Sequence, residues 1–253
     1  MYPPTIVCGC TKNSAAYIEK HLSLLYSMSP LFEKFKMMIY ENDSTDHTKE
    51  ILEEFKKTHI LFDYVSEKIN GIKSETIPCR TQVLAHGRNT LLKYISGYEY
   101  MIMVDLDDVI ATFKPSQLKY LFQETGWDAL FANCLGKYYD IWALRIKEKT
   151  PECPFQVIDY DCWEIAQYKS KRVVAQHQIQ IPITNPLIPV DSAFGGFGMY
   201  RISAIKSAKY VGVKNGRMVC EHVEFHNELK KQGARLFICP KFLVNKQDEH
   251  IIK

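Results

Sequence analysis

Three carboxylates crowd onto the end of an apolar run in Tyr100-Met-Ile-Met-Val-Asp-Leu-Asp-Asp108. A buried strand cannot keep Asp105, Asp107 and Asp108 unpaired, because each uncompensated carboxylate costs several kcal/mol or more. The cluster therefore belongs at a strand's end, facing water, a cation or a ligand that brings cations. Hard oxygen donors in this number suit Mg2+ or Mn2+ bridging to substrate phosphates. A diphosphate leaving group develops negative charge as its bond to a sugar breaks, and a divalent cation offsets that charge. The competing reading is a solvated strand-to-turn junction in which an Asp caps the next helix.

Four other segments carry chemistry. In Glu41-Asn-Asp-Ser-Thr-Asp46, Ser44 or Asp46 reads as an ordinary helix cap, which leaves Glu41 and Asn42 without a role. A side chain that accepts at a strand end can read a nucleobase N–H. Arg88, in His86-Gly-Arg-Asn-Thr-Leu-Leu92, is read at the start of an apolar helix, where a guanidinium adds to the N-terminus in attracting phosphate. Asp191-Ser-Ala-Phe-Gly-Gly-Phe-Gly198 holds Gly195 and Gly196, which permit positive φ or close approach of backbone to a ligand. It lacks the dinucleotide-binding glycine spacing. The fourth, Cys220-Glu-His-Val-Glu-Phe-His226, sets Glu221, His222 and Glu224 at the start of a helix.

The elements that must position these groups alternate. Strands are expected at Thr5–Cys10, Lys36–Tyr40, Ile60–Ser66, Tyr100–Val104, Asp128–Ala132 and Leu236–Ile238. Helices are expected from Ala15 to Tyr26, with Asn13 and Ser14 as caps, after Asp46 to Lys57, and over Thr81–Tyr94, Ser116–Thr125 and Glu221–Gln232. Such alternation implies an α/β domain with a mostly parallel central sheet flanked by helices. Ligands in these sheets bind beyond the strands' carboxyl ends, where Thr11–Asn13, Glu41–Asp46 and Asp105–Asp108 all fall. From Asn133 to Val190 prolines break short aromatic pieces into an irregular elaboration of the same domain, with Trp142, Tyr160 and Trp163 as stacking platforms or core.

Four motifs in order, Lys12-Asn13-Ser-Ala-Ala-Tyr17, Ile39-Tyr-Glu-Asn-Asp-Ser-Thr-Asp46, Gly87-Arg-Asn89 and Val104-Asp-Leu-Asp-Asp108, resemble those of GT-A fold glycosyltransferases. They are similar to family 2 and to capsule-type and viral sugar transferases. The resemblance implies a single domain over 1–253, with residues 1–132 binding the nucleotide sugar and 133–253 forming the acceptor side. It implies nucleotide-sugar contacts from Thr11, Asn13, Glu41, Asn42, Asp43, Arg88, Asp105, Leu106, Asp107, Gly195 and Gly196. Asp105 and Asp107 would hold Mn2+ or Mg2+, joined by His222 if it ligates as a histidine does in some relatives. A catalytic base must reach the acceptor hydroxyl. Glu221 is the first choice, with Asp191, His222 and Glu224 in reserve, and inversion is favoured over retention. Glu41-Asn42 stands where many relatives carry two Asp residues, which leaves UDP- and GDP-linked donors both open. Glu221-His222 replaces an acidic pair.

The expected activity is transfer of a sugar from a nucleotide diphosphate sugar to a hydroxyl of a glycan, protein or lipid-linked acceptor. A sugar-phosphate nucleotidyltransferase is the enzymatic alternative, though Cys8-Gly-Cys-Thr-Lys12 offers one glycine where a Gly-rich loop belongs. An inactive glycan-binding module is the non-enzymatic one. A net charge of +3 is too small to argue for nucleic acid as a partner. No apolar run approaches the roughly 18 residues that span a bilayer, and no leader is visible at the N-terminus. The eight cysteines show no repeating spacing and read as reduced structural thiols. The expected location is cytoplasmic, compatible with a peripheral place at a membrane, and the oligomeric state stays open.

Overall fold

The computed structural model describes residues 1–69, 73–74, 77–78, 80–162, 164–165, 171–245 and 251–252. The first half alternates as its apolar periodicity dictates: β1 (Thr5–Thr11), α1 (Ile18–Tyr26), β2 (Phe35–Asn42), α2 (Thr48–Thr58), β3 (Phe62–Glu67), α3 (Arg80–Leu91), β4 (Tyr100–Asp105), α4 (Leu118–Phe122) and β5 (Ala129–Cys134). The second half adds β6 (Ile188–Val190), β7 (Phe197–Arg201), α5 (Glu221–Lys231) and β8 (Leu236–Val244). Together the strands form one eight-stranded sheet in the order β3-β2-β1-β4-β7-β5-β8-β6. Pairing is parallel through β3, β2, β1 and β4 and again between β5 and β8. β7 runs antiparallel to both neighbours, and β6 antiparallel to β8.

β1, β4 and β5 are buried along nearly their whole lengths, which is why they read as continuous apolar runs rather than alternating ones. The helices need only one apolar stripe. α1 buries Ile18, His21, Leu22 and Leu25, and α2 buries Thr48, Leu52 and Phe55.

Three expectations change. α1 begins at Ile18 rather than Ala15, and no side chain caps it. Asn13 takes φ 50 and accepts at Oδ1 from Thr45 N–H (2.8 Å), while Ser14 N–H donates to Thr48 Oγ1 (2.8 Å). Those residues brace the loops after β1 and β2 instead of capping. The helix expected over Ser116–Thr125 shrinks to Leu118–Phe122, preceded by a 3-10 turn at Pro115–Gln117. The Gly-rich segment contains β7, which is inserted between β4 and β5 in the middle of the sheet. Its glycines masked it as a strand. Trp163 and Cys79 lie outside the described residues. Trp142 and Tyr160 pack against the core.

Candidate active site

Register brings the chemistry together. Cys10 pairs with both Tyr40 and Asp105, and Thr11 pairs with Glu41. The carboxyl ends of β2, β1 and β4 therefore lie side by side, about 4.8 Å apart per step. Above them α3 packs closely on β1 and β2. A Cβ on Gly87 would come within 2.5 Å of the Tyr40 ring, so glycine there lets the helix descend far enough to bury the next residue.

That residue is Arg88, and its placement corrects the sequence reading. α3 begins at Arg80, so Arg88 sits in the last turn rather than at the helix start. It is buried, and its fork is engaged on both prongs. Nη2 donates to Asp105 Oδ1 (3.1 Å) and Nη1 to Glu221 Oε1. The guanidinium also lies 5.6 Å from the Phe194 ring centroid and 5.8 Å from that of Tyr210. Glu221 reaches it from the first turn of α5. Two neighbouring elements, α3 and β4, thus meet the distant α5 in one Asp–Arg–Glu bridge.

The surroundings are strongly acidic. Loss of hydration raises the Asp105 carboxyl above the usual range, Arg88 pulls it back, and Asp107, Asp140 and Glu221 push it up again. Asp140, which sequence reasoning missed, accepts from Gly195 N–H (2.8 Å) and Ala143 N–H (3.3 Å), and burial pushes it up to about 6. It lies in the irregular stretch after β5, where neither period nor motif marked it. Asp107 points partly outward, and its Oδ1 accepts from Val109 N–H (3.0 Å) to cap a 3-10 turn. The capping reading and the ligand reading of this Asp are thus compatible, since a carboxylate has further lone pairs. Arg88 is thus bridged to two carboxylates, Asp105 and Glu221, while Asp107 and Asp140 act on Asp105 from further out.

Gly195 and Gly196 hold positive φ values of 65 and 77. A Cβ on Gly196 would stand 2.6 Å from Val109, and its carbonyl accepts from Asp105 N–H (2.9 Å). These glycines lock the loop beneath the carboxylates, so packing alone accounts for their type.

The other expected residues have partners of their own. Glu41 is fully buried and accepts from Ser44 N–H (2.8 Å) and from the Ser66 hydroxyl. It has a structural task that the sequence did not reveal, because Ser66 is 25 residues away. Asn42 donates to Asp43 Oδ2 (3.1 Å), and Asp43 accepts from Ile69 N–H (3.0 Å). The Thr11 hydroxyl bonds that of Ser14. The Leu106 side chain is buried over Gly9. Asp191 accepts from Lys147 N–H (2.7 Å) and faces Lys230, whereas Glu224 pairs with Lys214 at 2.7 Å. Both reserve bases therefore stand beside lysines.

His222 is buried against Phe194, with ring centroids 3.8 Å apart, and neither ring nitrogen has a hydrogen-bond partner. Burial and nearby Arg88 push its pKa well down, so the ring is neutral. Among the described residues no three His, Cys, Asp or Glu side chains converge as a metal-binding group, so Asp105, Asp107 and His222 are not gathered as one ligand set.

The model of glycosyl transferase family 2 matches residues 6–183, spanning β1 to the segment before β6. The chain belongs to glycosyl transferase family 2. No match was found among curated proteins. Solved structures share the fold at low identity. The mannosyltransferase PcManGT from Pyrobaculum calidifontis, in complex with GDP-Man and Mn2+, is 14% identical with TM-score 0.56, over 97% of this chain and 57% of that one. S. aureus TarS 1-349 in complex with UDP-GlcNAc is 18% identical with TM-score 0.51, over 98% and 60%. Glucosyl-3-phosphoglycerate synthase from Mycobacterium tuberculosis, with Mn2+, UDP and glucosyl-3-phosphoglycerate, is 12% identical with TM-score 0.51, over 96% and 70%. This family 2 chain therefore has the GT-A fold, and it spans a little over half the length of the first two. No helix among the described residues is long and apolar enough to cross a membrane.

Proposed function

We propose that the protein is a metal-dependent glycosyltransferase. It moves a sugar from a UDP- or GDP-linked diphosphate donor to a hydroxyl of a glycan, protein or lipid-linked acceptor. The observation that carries this reading is the carboxylate cluster at the end of β4, bridged by buried Arg88 to Glu221 at the start of α5.

The donor set fits a divalent cation. Asp105 and Asp107 stand one residue apart at the end of β4 with partly exposed side chains, and both offer hard oxygen donors. A site of one or two carboxylates completed by substrate phosphates needs no third protein ligand. Asp105 and Asp107 would hold Mn2+ or Mg2+, which when bound offsets the charge of the departing diphosphate.

In a direct displacement the acceptor oxygen bonds to the anomeric carbon while the bond to the diphosphate oxygen breaks. Glu221 takes the hydroxyl proton. Arg88 holds Oε1 of that carboxylate, so the proton goes to Oε2. Asp140 holds the Gly195 amide, and through it the loop on which the donor sugar would rest. This assignment supports inversion, with Glu221 as base.

Incubation with a panel of UDP and GDP sugars, with Mn2+ and with Mg2+, tests the reading. Metal-dependent release of nucleoside diphosphate is expected, and Asp107→Asn should lower it on the order of 10²-fold. Full activity in that variant would remove the central claim. Release of pyrophosphate from a nucleoside triphosphate and a sugar phosphate would instead indicate the nucleotidyltransferase.

A further inference from the structure

Asp191 lines an open cavity of about 410 Å³ together with Lys147, Lys214, Asn227, Lys230 and Lys231. Four lysines and one carboxylate line it, and with Glu224 and Glu228, the partners of Lys214 and Lys231, the local formal charge is +1 (4 − 3). Asp191 does little to neutralise them. Its Oδ2 accepts from the backbone N–H of Lys147, and its Oδ1 stands 3.8 Å from Lys230 Nζ. Lys214 and Lys231 are paired at 2.7 Å with Glu224 and Glu228, which do not line the cavity. The Lys147 ammonium has no carboxylate partner among the described residues.

Like charges held together repel, and an anion in the cavity relieves that repulsion. The walls differ in origin. Asn227, Lys230 and Lys231 stand on α5, Lys214 on a two-strand hairpin (Val213–Lys214 and Arg217–Met218), and Lys147 on the segment after β5. An anion would thus tie three separate segments together. Lysine presents a compact point charge rather than a planar fork, so the cavity suits a phosphate-type group recognised by charge, with Asn227 able to donate or accept.

The cavity also shares an element with the candidate active site. α5 begins at Glu221, and at 1.5 Å per residue Asn227 to Lys231 lie about 9–15 Å further along its axis. We propose that this lysine-lined cavity binds a phosphate-type anionic group carried by the acceptor, remote from the hydroxyl that reacts. The proposal rests on the glycosyltransferase reading for the word acceptor, but the anion site stands on its own residues. A phosphate of a soluble sugar phosphate and that of a lipid headgroup offer the same chemistry.

The test needs no turnover, so its failure leaves the transferase reading untouched, and failure of sugar transfer leaves the anion site untouched. Lysines of the whole chain, 13C-dimethylated so that their charge is kept, are followed by NMR during titration with inorganic phosphate. The ionic strength is kept near 0.01 M, where screening extends only beyond about 30 Å. Saturable shifts at Lys147, Lys214, Lys230 and Lys231 are expected. The dissociation constant should rise at least about tenfold in a Lys147→Gln/Lys230→Gln variant and return in Lys147→Arg/Lys230→Arg, which keeps the charge. Unaltered thermal unfolding of the variants guards against loss of fold. In a second arm the protein is sedimented with phosphatidylcholine vesicles with and without phosphatidylglycerol. Binding that needs phosphatidylglycerol and is lost in the Gln variant assigns the phosphate to a lipid headgroup; no vesicle binding, with phosphate binding intact, assigns it to a soluble acceptor. Shifts that do not saturate, or that spread equally over lysines elsewhere, overturn the proposal.

Discussion

Replacing Arg88 by Met tests how the Asp–Arg–Glu bridge is held together. The guanidinium is 4% exposed, the Glu221 side chain 6% and the Asp105 side chain 38%. Met keeps most of the volume and removes the charge, stranding two carboxylates. Breaking a buried ion pair by removing one partner costs about 3–5 kcal/mol, mainly because the remaining charge stays buried and uncompensated. Against a typical domain stability of about 5–15 kcal/mol, that leaves a marginal protein. The penalty should divide unequally. Asp105 can recover water, whereas Glu221 cannot, so most of the loss belongs to Glu221. Urea unfolding of Arg88→Met, Arg88→Met/Glu221→Gln and Arg88→Met/Asp105→Asn measures the division. The Gln double variant should recover more than half of the loss and the Asn double variant clearly less. A loss below about 1 kcal/mol in Arg88→Met, the range of an exposed pair, would refute the buried bridge. Equal recovery by both double variants would refute its asymmetry.

Asp140 supplies a pH signature. Its folded pKa of about 6 lies above the unfolded value near 3.9, so the native state holds the proton more tightly over that interval. Its contribution favours the fold below the unfolded pKa and is lost as pH rises through the folded one, by about 3 kcal/mol in all. His226 has the opposite sign. It is buried, bonded to Ser192 and Tyr200, and pushed down to about 3, so its contribution is lost as pH falls below the unfolded value near 6.5. The difference in urea stability between wild type and Asp140→Asn, followed from pH 4 to 7, isolates Asp140; a flat difference removes the assignment. Gly196→Ala should destabilise by about 2–4 kcal/mol, from positive φ and from overpacking against Val109. A thermal midpoint equal to that of the wild type would contradict that packing.

Much of the architecture of the first half was legible because burial writes it into local pattern. Strands buried on both faces must be apolar along their length, and helices packed on one face must repeat their apolar residues every turn. β1, β2, β4 and β5 and the helices α1 and α2 follow from that. The position of Asp105 and Asp107 at a strand end follows from the cost of desolvating a carboxylate, which no tertiary detail can waive. The assignment of partners was not legible. Arg88 and Glu221 are 133 residues apart, and Asp140 holds a glycine 55 residues away. No periodicity records such pairs, since each end is merely a polar residue at the edge of an element until the sheet order brings it opposite the other. Glu41 shows the same limit, a carboxylate without evident purpose in sequence that folding buries beneath Ser44 and Ser66. So does β7, whose glycines conceal a strand that becomes central only because β4 and β5 leave a gap for it. Local desolvation determined which residues must stand at the strand ends. Sheet order alone decided which charge each of them would meet there.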